Sequence, residues 1–125
     1  MKPQTGNLFN RSQRLVQASD YQRVFKNAIR SSDKLLTILA HCDHHLDQSR
    51  LGLAISKKSI KTAVQRNRVK RISREYFRIN QDKIAIADYV ILARNGIDKM
   101  DNQTIFQSLS KQFNYLRKQL KKTGS

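Results

Sequence analysis

The chain has 125 residues, which suits one domain around a single core. Lys and Arg number 25 against 9 Asp and Glu, a net charge of +16, while 38% of the residues are hydrophobic. That balance argues against full disorder and points to a polyanionic partner, either nucleic acid or an anionic membrane surface. No run of about 18 apolar residues offers a transmembrane helix. The start, MKPQTGNLFNRSQRL, lacks an apolar signal core, so a cytoplasmic location is expected. The single Cys42 forbids an internal disulfide and fits a reducing compartment.

Residues 1–18 read as a polar, partly ordered arm with apolar anchors at Leu8, Phe9, Leu15 and Val16. Ser19 is placed to cap a helix over 20–28, with Asp20 in its first turn. Tyr21, Val24, Phe25 and Ile29 would form its apolar face. Residues 34–42 and 50–57 read as strands, and the short polar link between them predicts an antiparallel hairpin. Residues 62–80 make the clearest helix, with Val69, Ile72, Tyr76 and Ile79 as a buried stripe. The apolar run at 88–95 reads as a central strand, followed by a turn at Asn95-Gly96. Asp101 or Asn102 starts a last helix with Phe106, Leu109, Phe113, Leu116 and Leu120 on one face, and a basic end over 119–125 expected to fray. The order is helix, strand, strand, helix, strand, helix: a single α+β domain with a small sheet packed by helices. Its strand–helix–strand unit would be a parallel crossover, right-handed by the general rule.

The charge is concentrated. Between Arg50 and Arg78 stand ten Lys or Arg and one acid, Glu75. Lys70, Arg74 and Arg78 recur every four residues, with Asn67 one turn earlier, on the side opposite the apolar stripe. Like charges at this spacing destabilise an isolated helix, and phosphates would relieve the repulsion. A solvated helix face is the common reading of a charge run, but acids are nearly missing here. Arg68 and Arg71 lie nearer the flanks. Tyr21 and Phe25, one turn apart, suit stacking on unpaired bases, while ordinary core packing is the commoner fate of a Phe. His41, Cys42, Asp43, His44 and His45 crowd together, but their spacing suits a polar loop better than a tetrahedral metal site. Nothing catalytic stands out: there is no Gly-x-Ser-x-Gly elbow, no Gly-rich phosphate loop and no dense carboxylate pair.

The stretch from Leu51 to Arg78 reads LGLAISKKSIKTAVQRNRVKRISREYFR. It resembles the signature of the bacterial ribonuclease P protein subunit, carried here by Lys57, Lys58, Ala63, Arg66, Asn67, Arg68, Val69, Lys70, Arg71, Arg74, Glu75, Phe77 and Arg78. DYQRVF from Asp20 and DYVILAR from Asp88 resemble the family's first helix and later strand, so the likeness covers about residues 11–118. The chain departs from the pattern in two places. Asn27 and Ala28 stand where many members carry Gly, and Thr37 and Leu39 stand where an aromatic is frequent.

The resemblance implies a ribosomal protein S5 domain 2-like fold with a left-handed crossover, against the general rule. It implies a subunit of the ribonucleoprotein that removes the 5′ leader from precursor tRNA, with Mg²⁺-dependent catalysis carried by the RNA. Lys57, Lys58, Arg66, Asn67, Arg68, Lys70, Arg71, Arg74 and Arg78 would bind that catalytic RNA. Tyr21, Phe25, Thr37, Leu39 and Ser56 would line a cleft for the single-stranded leader. The implied partners are ribonuclease P RNA, one protein per RNA, and precursor tRNA, with no membrane, no small-molecule substrate and no metal held by the protein. The rival readings are a ribosomal-type RNA-binding protein, a DNA-binding domain using the basic helix, and a stand-alone metal-dependent nuclease.

Overall fold

The computed structural model describes residues 13–15, 17–42 and 47–124. Leu8, Phe9, Val16, Asp43, His44 and His45 lie outside them. The elements are α1 (Ala18–Asn27), β1 (Ile29–Ser32), β2 (Leu36–His41), β3 (Arg50–Ala54), α2 (Ala63–Asn80), β4 (Asp88–Ala93), a 3-10 turn (Ile97–Lys99) and α3 (Asn102–Gly124). The four strands form one sheet in the order β1-β2-β4-β3. No helix among the described residues is long and apolar enough to cross a membrane.

The expected hairpin between the second and third strands does not form. β4 lies between them, antiparallel to β2 and parallel to β3. The reason is burial: five of the six residues of DYVILA are buried, so this strand needs a partner on each edge and an apolar layer on each face. β2 pairs instead with β1, a strand the sequence reading did not find, because IRSS lacks an apolar alternation. The turn joining them is built by Asp33, whose Oδ1 accepts from the backbone N–H of Leu35 at 2.8 Å and of Leu36 at 3.0 Å. Ser31 is buried but satisfied, donating to Gln112 Oε1 on α3 at 3.0 Å.

α2 follows its sequence signal closely. The Thr62 hydroxyl caps it by accepting from Gln65 N. Val69, Ile72, Ser73, Tyr76 and Phe77 are buried, whereas Ile79, expected in the stripe, is 46% exposed. The stripe turns toward Phe77 because α3 packs along that side, where Tyr76 stacks on Phe113 at 5.2 Å and meets Phe106 edge-on at 4.9 Å. Tyr89 of β4 meets the same Phe113, and its hydroxyl donates to Ala85 O, so burial pushes its phenol far above the usual range. α3 starts where Asp101 Oδ1 accepts from Thr104 N at 2.8 Å, and it runs to Gly124, through the stretch expected to fray. Gly96 supplies the left-handed turn after β4, with φ of 97°.

The sheet has two unequal faces. Leu36, Ile38, Ala40, Leu51, Tyr89 and Ile91 join α2 and α3 in the main core. Among the described residues the other face is covered by α1 and Leu15, where Val24 packs on Leu15 and Val90, with Tyr21, Leu39, Ala54 and Leu92 around them. α1 begins after Gln17 with no side-chain cap, so Ser19 lies inside the helix rather than at its end. At one end of this face Arg50 grips Asp88 with two bonds of 2.7 and 2.6 Å, joining the neighbouring strands β3 and β4.

Candidate nucleic-acid interface

Because α2 buries one side against the sheet and α3, its other side is left to the charges. Asn67, Arg71 and Arg74 are exposed there and Lys70 is half-buried. None of these cations has an ion pair among the described residues, whereas Arg78 pairs with Glu75 one turn below. Such a face is held together against its own repulsion only by the packing beneath it.

Two residues of the Arg66-Asn67-Arg68 triplet work inward. Arg66 donates to the carbonyls of Ile60 and Lys61, both at 2.9 Å, and so fixes the loop that enters α2. Arg68 donates to Gln65 Oε1, Asn102 Oδ1 and the carbonyls of Asp98 and Met100, tying α2 to the start of α3. Asn67 stands exposed between them. Lys57 and Lys58 are exposed on the turn before α2, which Ser56 shapes by accepting from Ser59 N at 3.2 Å. Ser56 itself thus sits at the mouth of the basic loop.

The aromatic pair sits on the thin face of the sheet. Tyr21 and Phe25 have ring centroids 6.4 Å apart, tilted by 40°. Phe25 is 48% exposed and so is not a core residue. Thr37 and Leu39 lie on the same face but are mostly covered: Thr37 hydrogen-bonds Ser32 through its hydroxyl at 2.8 Å, and Leu39 packs with the cluster around Val24.

Tyr21 brings the two sets of residues together. With Arg14, Gly52, Lys70 and Arg74 it lines a cavity of about 270 Å³ at the outer edge of β3. A neighbouring cavity of about 280 Å³ shares Arg14 and Arg74 and adds Arg71 and Arg78. The sequence reading assigned Tyr21 to one site and Lys70 and Arg74 to another; the fold lets them line one trough. It also missed Arg14, which reaches the site because residues 14–15 run beside β3, with Leu15 N donating to Leu51 O. The apolar anchor Leu15 beside a cation was the available signal. A third basic cluster, Lys34, Lys58 and Arg94, lines a cavity of about 430 Å³ at the far end of the sheet. Lys34 and Arg94 were also missed, since each follows a strand end and belongs to no charge run.

The histidine cluster divides. His41 ends β2 with Nδ1 buried and without a partner among the described residues, and Cys42 is exposed. No group of three or more His, Cys, Asp or Glu among the described residues is placed to hold a metal ion.

A basic trough that holds a half-buried tyrosine beside an exposed phenylalanine, on a small α+β domain, is the arrangement of an RNA-binding protein. The comparisons with known proteins give the particular family. Residues 9–117 match the family described as Ribonuclease P. The chain is similar to the ribonuclease P protein component of Histophilus somni, 48% identical over 103 residues, spanning 82% of this chain and 86% of that one. It is 45% identical to the Vibrio cholerae counterpart over the same shares. Among solved structures it matches the Staphylococcus aureus RNase P protein with a TM-score of 0.79 and 28% identity, covering 84% of this chain and 95% of that one. The Thermotoga maritima RNase P protein matches with a TM-score of 0.70 and 27% identity, covering 80% and 94%. The chain belongs to the ribonuclease P protein component family, whose work is tRNA 5′ processing.

Proposed function

We propose that this chain is the RNA-binding, non-catalytic subunit of a cytoplasmic ribonuclease P, one protein to each catalytic RNA. Cleavage of the precursor then belongs to the RNA and its Mg²⁺ ions, and the protein supplies binding and charge. The observation that supports this reading most is the trough in which Tyr21 stands with Lys70 and Arg74. Cations there meet phosphates, and an aromatic edge beside them meets an unpaired base, a combination suited to single strands. The outer face of α2, with Asn67, Arg71 and the Lys57-Lys58 turn, serves the catalytic RNA. Tyr21 and Phe25 serve the leader, with Thr37 and Leu39 forming the floor beneath them and Ser56 at the edge of the cleft. Arg66 and Arg68 act on RNA through the loops they hold.

Two consequences follow from charge alone. A protein of +16 lowers the repulsion between two RNAs brought together, so less metal is needed for the same screening. Contacts to the leader exist in the precursor and vanish in the mature tRNA, so they strengthen substrate binding without holding the product. The test is reconstitution with a bacterial ribonuclease P RNA at low Mg²⁺, following leader removal from a precursor tRNA. Cleavage by the mixture, with none by the protein alone and little by the RNA alone, is expected. Tight RNA binding without rescue of cleavage would favour a ribosomal-type role, and cleavage by the protein alone would make it a nuclease in its own right.

A further inference from the structure

Gly52 stands in the middle of β3, in the run RLGLA, and is buried. Glycine in a strand interior weakens the strand, since it adds backbone entropy to the unfolded chain and no side-chain packing. Backbone conformation does not call for it, because the positive φ among the glycines is that of Gly96. What calls for it is Tyr21. A Cβ at Gly52 would stand 2.7 Å from Tyr21 Oη and 2.8 Å from both Cε1 and Cζ. Carbon atoms in contact settle at about 3.5 Å or more, so even alanine would lift the outer end of the ring by the better part of an ångström. That ring end forms one wall of the cavity shared with Lys70 and Arg74.

We propose that Gly52 is a positioning residue for a nucleotide site: it seats Tyr21 flat on the edge strand, so that the ring and the Lys70 and Arg74 cations face one nucleotide of a single-stranded RNA. The base lies on the ring and the phosphate on the cations. This rests on the reading of Tyr21 as a leader contact and adds the element that orients it. Raised off the strand, the ring loses its set distance from the two cations, which are fixed on α2 and do not follow.

The test is a double-mutant cycle on the holoenzyme reconstituted with a bacterial ribonuclease P RNA, using Gly52→Ala, Tyr21→Ala and both together. Affinities are measured for a leader-bearing precursor tRNA and for mature tRNA. Stacking of one base on an aromatic ring corresponds to about fivefold or more in affinity. Gly52→Ala should weaken precursor binding by about that factor and leave mature tRNA binding alone. The double variant should bind no more weakly than Tyr21→Ala by itself, because no ring remains to be displaced. Losses that multiply in the double variant, or a Gly52→Ala protein that binds like the parent, overturn the role of Gly52. A silent Tyr21→Ala overturns the leader reading itself. If Gly52→Ala lowers the melting temperature, the double variant should melt no lower than Tyr21→Ala alone; a further drop shows that the strand, not the ring, demands glycine.

Discussion

Arg71 and Lys57 are the cleanest probes of the surface that meets the catalytic RNA. Both are exposed, neither has an ion pair among the described residues, and neither lines the cavity that holds Tyr21. Replacing both with alanine removes two phosphate partners and no packing. Each phosphate neutralised contributes about 0.9 to the slope of log affinity against log salt on a duplex, and about 0.7 on a single strand. The double variant should therefore show a slope shallower by about 1.4 to 1.8, and between 50 and 200 mM salt it should lose about tenfold less affinity than the parent. The assay is binding to labelled ribonuclease P RNA across a KCl series, with the melting temperature of each protein as a check. Arg68→Ala supplies the contrast. Its guanidinium is committed to Asn102 and to the Asp98 and Met100 carbonyls, so its loss should cost about 2 kcal/mol of folding stability and leave the slope of the folded protein unchanged. An unchanged slope for the Arg71 and Lys57 variant would remove that face from the RNA interface.

Three further outcomes test the fold around the site. Asp88→Ala leaves Arg50 half-buried without its two-bond partner and should destabilise the protein by about 3 kcal/mol, read by urea unfolding; a cost below about 1 kcal/mol would show the pair to be dispensable. Burial raises the Asp33 carboxyl, but hydrogen bonds from Ser108, from the Leu36 and Leu35 backbone and from Gln112 outweigh it and hold the group below 3.8. Its folded value lies below its unfolded one, so its contribution is complete above 3.8 and fades as pH falls through the folded value. The stability gap between the parent and Asp33→Ala should therefore narrow in acid, and a gap constant with pH would refute the assignment. Phe25→Ser removes a half-exposed ring, so it should weaken binding of leader-bearing tRNA while moving the melting temperature little; a large drop in melting temperature would return Phe25 to the core.

Legibility followed the physics of each element. α2 was readable because everything that defines it is local: the Thr62 cap, the apolar positions at 69, 72 and 76, and the cations opposite them. Strand pairing was not, because a short link between two apolar runs favours a hairpin, and only the need of β4 for two partners overrides it. β1 stayed hidden because its buried Ser31 is satisfied by Gln112, a residue 81 positions away. The inward turn of Arg66 and Arg68 depends on carbonyls in two separate loops, one of them beyond β4. Resemblance carried the function where periodicity had stopped, since the charge of the helix names a polyanion but not which one.

The strand order that the sequence concealed also makes the site possible. Had the second and third strands formed a hairpin, β3 would lie inside the sheet with a neighbour on each side. With β4 between them, β3 becomes an edge, bordered beyond by residues 14–15. α1 lies over one face of the sheet and α2 over the other. Only at an edge can side chains from both layers meet, and there Tyr21 from the first and Lys70 and Arg74 from the second share a cavity around Gly52. The crossover through α2 has the same consequence from the other direction, because the basic helix begins only nine residues after β3 ends, through the Lys57-Lys58 turn. Aromatic and cationic groups are thus brought together by topology, and neither Lys70 nor Arg74 has an ion pair among the described residues to be broken when RNA arrives.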